Sequence, residues 1–146
     1  MIFPKYLYVV SACLVRETTR YDGRSNFLPQ VYELYLKGDC LALCPERLLG
    51  IPRLPLELRG NLAIRRDGLD VTTKLEAGVK EAMEQVLKAK AKIAILKSRS
   101  PSCGVGEIYD GSFSHTLVAG DGLWAKALKA YGLKLILAEN FAEDYN

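Results

Sequence analysis

Hydrophobic positions along this chain follow two rhythms. Short, nearly unbroken apolar runs fall at residues 6–12, 40–44, 92–97 and 133–138. Each is rich in Val, Ile, Leu or Tyr and stops at a polar, glycine or proline cluster, the pattern of buried strands. Between the runs, apolar residues recur at helical spacing. Residues 73–90 carry the clearest stripe, Leu75, Val79, Met83, Val86 and Leu87, and Thr73 with Glu76 predicts a capping box at its start. Residues 27–37 place Val31, Leu34 and Tyr35 on one helical face. Residues 123–131 follow Asp121 or Gly122 as N-cap and stop before Gly132, the expected C′ residue.

Two stretches break the alternation. In residues 51–70, Pro52 and Pro55 exclude a regular helix, and two apolar runs flank a Gly60-Asn61 turn signal, which predicts a small hairpin. Residues 98–120 hold four glycines and show neither period; an ordered irregular stretch of that length is usually functional. Alternating strands and helices predict an α/β, Rossmann-like fold. Its mostly parallel sheet has about four strands, helices on both faces and the hairpin as an excursion. At 146 residues the whole chain, 1–146, is read as one domain.

Composition narrows the function. The chain is 49% hydrophobic and 25% charged, as in a soluble globular protein, and its net charge of +3 resolves into no basic run that would bind polymeric nucleic acid. The N-terminus lacks a secretory pattern and no run is long enough to span a membrane, so the protein is expected in the cytoplasm. Disulfides are rare there, and four cysteines need another explanation.

Three of them share a position in the predicted fold. Cys13 follows the first strand, Cys44 closes the second, and Cys103 lies in the loop after the third. In such sheets ligands bind beyond the carboxyl ends of the strands, so all three belong at the binding edge. Taken singly, a cysteine is as readily explained by burial. Cys44-Pro45 and Pro101-Ser102-Cys103-Gly104, however, are turn sequences, where packing explains little. Cys40 differs: along an extended strand its sulfur lies about 13 Å from that of Cys44, toward the opposite end. Three thiolates without a fourth protein ligand suit either a zinc ion with an open position or a cubane iron–sulfur cluster with one unligated iron.

Other groups are weighed against plain structural roles. Glu46, two residues past Cys44, can act as general acid or base, or be a solvated charge. Loop serines such as Ser100 and Ser102 commonly cap turns. Arg20 can bind an anion, and His115, the only histidine, is expected to be solvated. Gly120-Asp121-Gly122 at a helix start is a weak phosphate-binding fingerprint.

Several of these segments, in order, resemble one family. They are Ser11-Ala12-Cys13-Leu14, Arg20-Tyr21-Asp22-Gly23, Cys44-Pro45-Glu46, Asp70-Val71-Thr72, Ser100-Pro101-Ser102-Cys103-Gly104, Ile108-Tyr109-Asp110-Gly111-Ser112-Phe113-Ser114 and Gly120-Asp121-Gly122. The chain is similar, from about Val9 to Glu139, to the family that includes the TudS-type thiouracil desulfidases. The resemblance implies a 4Fe–4S cluster held by Cys13, Cys44 and Cys103, with zinc the alternative. It implies Glu46 as the carboxylate that activates water or moves protons, and Ser100 as a hydroxyl assisting at the substrate. Ser11, Arg20, Asp22 and Ser102 are the expected substrate contacts. The implied reaction turns the thiocarbonyl of a small nucleobase, nucleoside or nucleotide into a carbonyl and releases sulfide. A zinc-dependent hydrolase built on the same thiolates is the enzyme alternative, and a cluster-bearing sensor or sulfur-handling protein without turnover is the non-enzyme alternative. The chain departs from many relatives at Val15-Arg16, Thr19 and His115. These positions fall around the expected pocket, where they bear on the choice of thio-substrate and leave the cluster ligands intact.

Overall fold

Val9 and Val10 are neighbours on the first strand, β1 (Tyr8–Ser11), yet they belong to separate cores, because successive strand residues face opposite sides of a sheet. The computed structural model describes residues 6–15, 27–49 and 54–145. After β1 and a short 3₁₀ turn come α1 (Pro29–Leu36), β2 (Cys40–Leu43) and a second 3₁₀ turn (Pro45–Leu49). The hairpin β3 (Leu56–Arg59) and β4 (Leu62–Arg65) leads into α2 (Thr72–Ala89) and β5 (Ile93–Leu96). A second hairpin, β6 (Glu107–Tyr109) and β7 (Leu117–Ala119), precedes α3 (Leu123–Ala130), β8 (Lys134–Leu137) and α4 (Ala138–Tyr145).

The main sheet has the order β2-β1-β5-β8 and every pairing in it is parallel. On one face Val9, Ala94 and Leu96 pack against Ala82, Met83 and Val86 of α2 and Trp124, Ala125 and Leu128 of α3. On the other, Val10, Ile95 and Cys40 meet Val31 and Leu34 of α1, with Ala138 and Phe141 of α4. The α/β sheet of four strands covered on both faces is therefore present as expected. A third cluster joins Leu56, Leu58 and Ala63 of the first hairpin to Val71, Leu75 and Ile108, which fixes that hairpin beside the carboxyl edge of the sheet.

Local details depart from expectation in three places. No capping box forms at Thr73: α2 begins at Thr72, whose N–H donates to Asp70 Oδ1 at 2.9 Å. The Thr72 hydroxyl oxygen in turn accepts the Ala63 N–H at 2.8 Å, tying the helix start to β4. Residues 98–120, expected to be irregular, contain β6 and β7; strands of three residues are too short to show a period. A helix, α4, follows β8 without an intervening turn signal and was not expected. Gly60 takes φ +63° in the two-residue turn between Arg59 and Leu62, and Gly132 takes φ +87° just after α3, both as predicted.

Candidate active site

Each of the three cysteines is delivered by a strand end. Parallel pairing sets Ser11 level with Leu43 and Val10 level with Ile95, so the chain leaves all three strands on one side. Cys13 sits in the 3₁₀ turn after β1, Cys44 directly follows β2, and Cys103 lies in the turn after β5. All three line one cavity of about 430 Å³, together with Ser11, Glu46, Ser100 and Ser102. Cys40 is buried at the start of β2 in the core beneath α1, and burial beside Asp39 pushes its thiol up to about 12. It stands apart from the cavity as expected. The four cysteines form no disulfide with one another.

The Cys103 loop doubles as the cap of α3. Pro101 and Ser102 offer their carbonyl oxygens to the N–H groups of Leu123, Trp124 and Ala125 at 2.9–3.0 Å. These are the orphan donors at the start of a helix. The helix start at Gly122 is consequently not a phosphate site, because its amides are already used. A side chain at Gly122 would collide with the Ser102 carbonyl, so glycine permits the approach. The Cys44 loop is seated differently. Its 3₁₀ turn lies on the middle of α2, where Pro45 meets Gly78 and Arg47 pairs with Glu81.

The polar groups between the loops have a definite direction. The Ser102 hydroxyl donates to Glu46 Oε2 at 2.7 Å, since a carboxylate can only accept. Ser102 Oγ lies 3.0 Å from Ser100 Oγ, which leaves the Ser100 hydroxyl as donor to it. Ser100 Oγ lies 3.5 Å from Glu46, the outer limit of a hydrogen bond, and accepts the N–H groups of Ser102 and Cys103 at 3.1 Å each. A chain thus runs Ser100, Ser102, Glu46. Ser11 is buried, and its hydroxyl oxygen accepts the Lys97 N–H at 3.0 Å, joining the ends of β1 and β5.

Burial pushes the Cys103 thiol well above its ordinary value; a hydrogen bond with Ser11 works the other way, and the proximity of Cys13, Cys44 and Glu46 adds to the rise. Three thiols and a carboxylate facing one another are poorly suited to ionise together and well suited to surround a cation-rich centre. The donor set therefore fits a soft metal or iron–sulfur group. Among the described residues, no three His, Cys, Asp or Glu side chains are grouped as on a single metal ion. A cubane asks for a different arrangement, with its three thiolates on three separate irons.

Arg20 and Asp22 lie outside the described residues, as do Arg16 and Thr19. Cavity residues not foreseen include Glu57, Arg66, Lys97, Arg99 and Tyr109. Lys97 ends the third apolar run at the predicted binding edge, and Tyr109 lies in a quoted motif, so both had a signal. Glu57 had none beyond its place in a short strand. His115 is exposed, as expected, and lines the cavity, around which the departures from many relatives were placed.

The chain matches a solved structure of a 4Fe–4S-dependent thiouracil desulfidase, TudS, with a TM-score of 0.86 and 36% identity over 95% of each chain. It is 32% identical to an uncharacterized protein, YbbK, of Bacillus subtilis (strain 168), over 94% of this chain and 99% of that one. Residues 8–140 match the model of the family described as 2-thiouracil desulfurase, and the chain belongs to that family.

Proposed function

We propose that this protein is a 4Fe–4S-dependent desulfidase that converts a thiolated pyrimidine to its oxo form. The observation that carries the reading is one cavity lined by three thiols, each from a different strand end, with Glu46 beside them, in a chain similar to such an enzyme almost end to end. Cys13, Cys44 and Cys103 hold the cluster. A cluster with one iron free of protein ligands supplies a Lewis-acidic position for the sulfur of the substrate.

The net change is C=S plus water to C=O plus hydrogen sulfide, with no electrons gained or lost. What the protein must supply is proton movement. Glu46 takes a proton from the attacking water and returns one to the departing sulfur. Ser102 holds the carboxylate by its 2.7 Å hydrogen bond, and Ser100 orients Ser102 from the other side. Ser11 and Ser102 sit on the wall that meets the substrate. The cavity accommodates a small heterocycle, and no described helix is long and apolar enough to cross a membrane. A cluster with an open iron is easily oxidised, which suits action in the reducing cytoplasm.

The test is sulfide release from 2-thio and 4-thio pyrimidines by anaerobically reconstituted protein of known iron content. Release from at least one of them, with the oxo product in equal amount, is the expected result. If none yields sulfide while the iron content is full, the sensor or sulfur-handling reading replaces this one.

A further inference from the structure

Among the described residues, four that are not glycine adopt the left-handed backbone conformation: Lys90, Arg99, Phe113 and His115. Lys90 ends α2, a place where that conformation is ordinary. Arg99 and His115 line the cavity, and Phe113 is two residues from His115. Strained backbone persists only where its surroundings enforce it, and it concentrates at binding sites. The question is what enforces it in the β6–β7 loop and what side chain it presents.

The enforcement comes from β3. One carboxylate oxygen of Glu57 accepts the N–H groups of Gly111 and Phe113 at 3.0 and 3.1 Å. The Arg59 guanidinium donates to the Gly111 carbonyl at 2.8 Å. Gly111 takes φ +93°, and a Cβ there would lie 2.8 Å from the Arg59 side chain, so the loop sits flush against the strand. Arg66 lies over the Phe113 ring at 6.0 Å, and the Asp110 N–H donates to Thr116 to close the loop. The loop is therefore clamped from the hairpin side.

What it presents is an aromatic pair. The rings of Tyr109 and His115 meet edge to face, 6.2 Å between centroids at 81°, and both line the cavity that holds the three thiols. Such a pair offers an aromatic surface with a phenol hydroxyl and imidazole nitrogens, suited to a flat heterocycle with its own donors and acceptors. We infer that Tyr109 and His115 form the specificity-determining wall that receives the ring of the substrate, and that Glu57 is the positioning residue holding it. This inference rests on the desulfidase reading above.

His115→Gly tests it without risking the fold, because glycine is at ease at φ +60°. In reconstituted protein matched for iron, the variant should melt no lower than wild type. KM for the preferred thio-pyrimidine should rise about tenfold, the effect of losing one good contact. The loss should fall on KM rather than kcat, and the preference between 2-thio and 4-thio substrates should change. Glu57→Ala should produce the same rise in KM, and Glu57→Gln, whose amide oxygen can still accept both N–H groups, should restore it. Unchanged KM and preference in His115→Gly would overturn the inference, as would a fall in melting temperature with KM intact. If wild type releases no sulfide at all, the desulfidase reading fails separately. Calorimetric titration with uracil then decides the wall: tenfold weaker binding by His115→Gly supports it, and equal or absent binding in both proteins rejects it.

Discussion

Gly78, in the middle of α2, touches the carbonyl of Pro45 so closely that a Cβ at this position would overlap its oxygen. Glycine inside a helix is normally a weakness, destabilising by roughly 0.8–1 kcal/mol relative to alanine. Here it lets α2 support the turn that carries both Cys44 and Glu46. The helix is stiff, so a methyl group at residue 78 must displace the turn rather than the helix.

Gly78→Ala is accordingly expected to reverse the usual sign. Instead of a gain, the variant should lose about 1–3 kcal/mol of stability, the range for overpacking a close contact. Its capacity for iron should fall as well, because Cys44 moves with Pro45. Urea denaturation of the unreconstituted protein and iron content after reconstitution report the two effects. An alanine variant as stable as wild type and fully loaded with iron would show that the turn has room the structure denies it.

The cysteines should separate into two classes. Single Cys→Ser variants at positions 13, 44 and 103 are each expected to lose most of the iron, while Cys40→Ser keeps about four iron and four sulfide per chain. Cys40 is buried in the core beneath α1, so its replacement should instead be felt as lower stability, since a hydroxyl replaces an apolar thiol there. Iron loss by Cys40→Ser matching that of Cys103→Ser would contradict the division.

Why the binding edge could be read from the sequence, and the clamp on the β6–β7 loop could not, has a physical basis. Parallel strands buried on both faces appear as apolar runs, and their ends are visible, so Cys13, Cys44 and Cys103 could be placed without coordinates. The same strand spacing set Cys40 aside. Glu57 carries no such mark, because its partners are backbone amides of a loop that adjoins it only in three dimensions. The strands β6 and β7 are three residues each, below the length at which alternation shows. At the start of α2, Thr73 and Glu76 had the capping spacing, but Asp70 reached the helix first because Thr72 is held by Ala63.

Acid should weaken the junction between the Cys103 loop and α3. The Lys129 ammonium beside Asp121, together with the Gly106 N–H, holds the Asp121 carboxyl below the usual carboxylate range. A depressed folded-state value stabilises the fold above the ordinary value and loses that contribution as pH falls toward the folded one. Asp121→Asn should therefore melt below wild type at neutral pH, and the gap should narrow as pH falls below the ordinary carboxylate range toward the depressed folded-state value. A gap that stays constant between neutral and acid conditions would assign the effect to packing rather than charge.

The Ser100–Ser102–Glu46 chain separates three roles that sequence alone merges. Glu46→Gln should keep the fold and the iron, because Ser102 can still donate to an amide oxygen. It should lose turnover by about 10²–10⁴-fold, the usual worth of general acid–base assistance, since an amide does not exchange protons as a carboxylate does. Ser102→Ala removes the 2.7 Å bond to the Glu46 carboxylate, and should reduce turnover by about tenfold with iron content intact. Ser100→Ala has a further consequence. Its oxygen accepts the N–H groups of both Ser102 and Cys103, so its loss leaves two donors at the ligand loop without that partner. A lost partner at a buried donor costs about 1–3 kcal/mol, so iron content should fall together with turnover. Sulfide release and iron analysis on the three variants, prepared side by side, distinguish these outcomes. Ser100→Ala protein that holds full iron would limit Ser100 to orienting Ser102. Wild-type sulfide release by Glu46→Gln would remove Glu46 from the chemistry and leave the cysteines alone as its source.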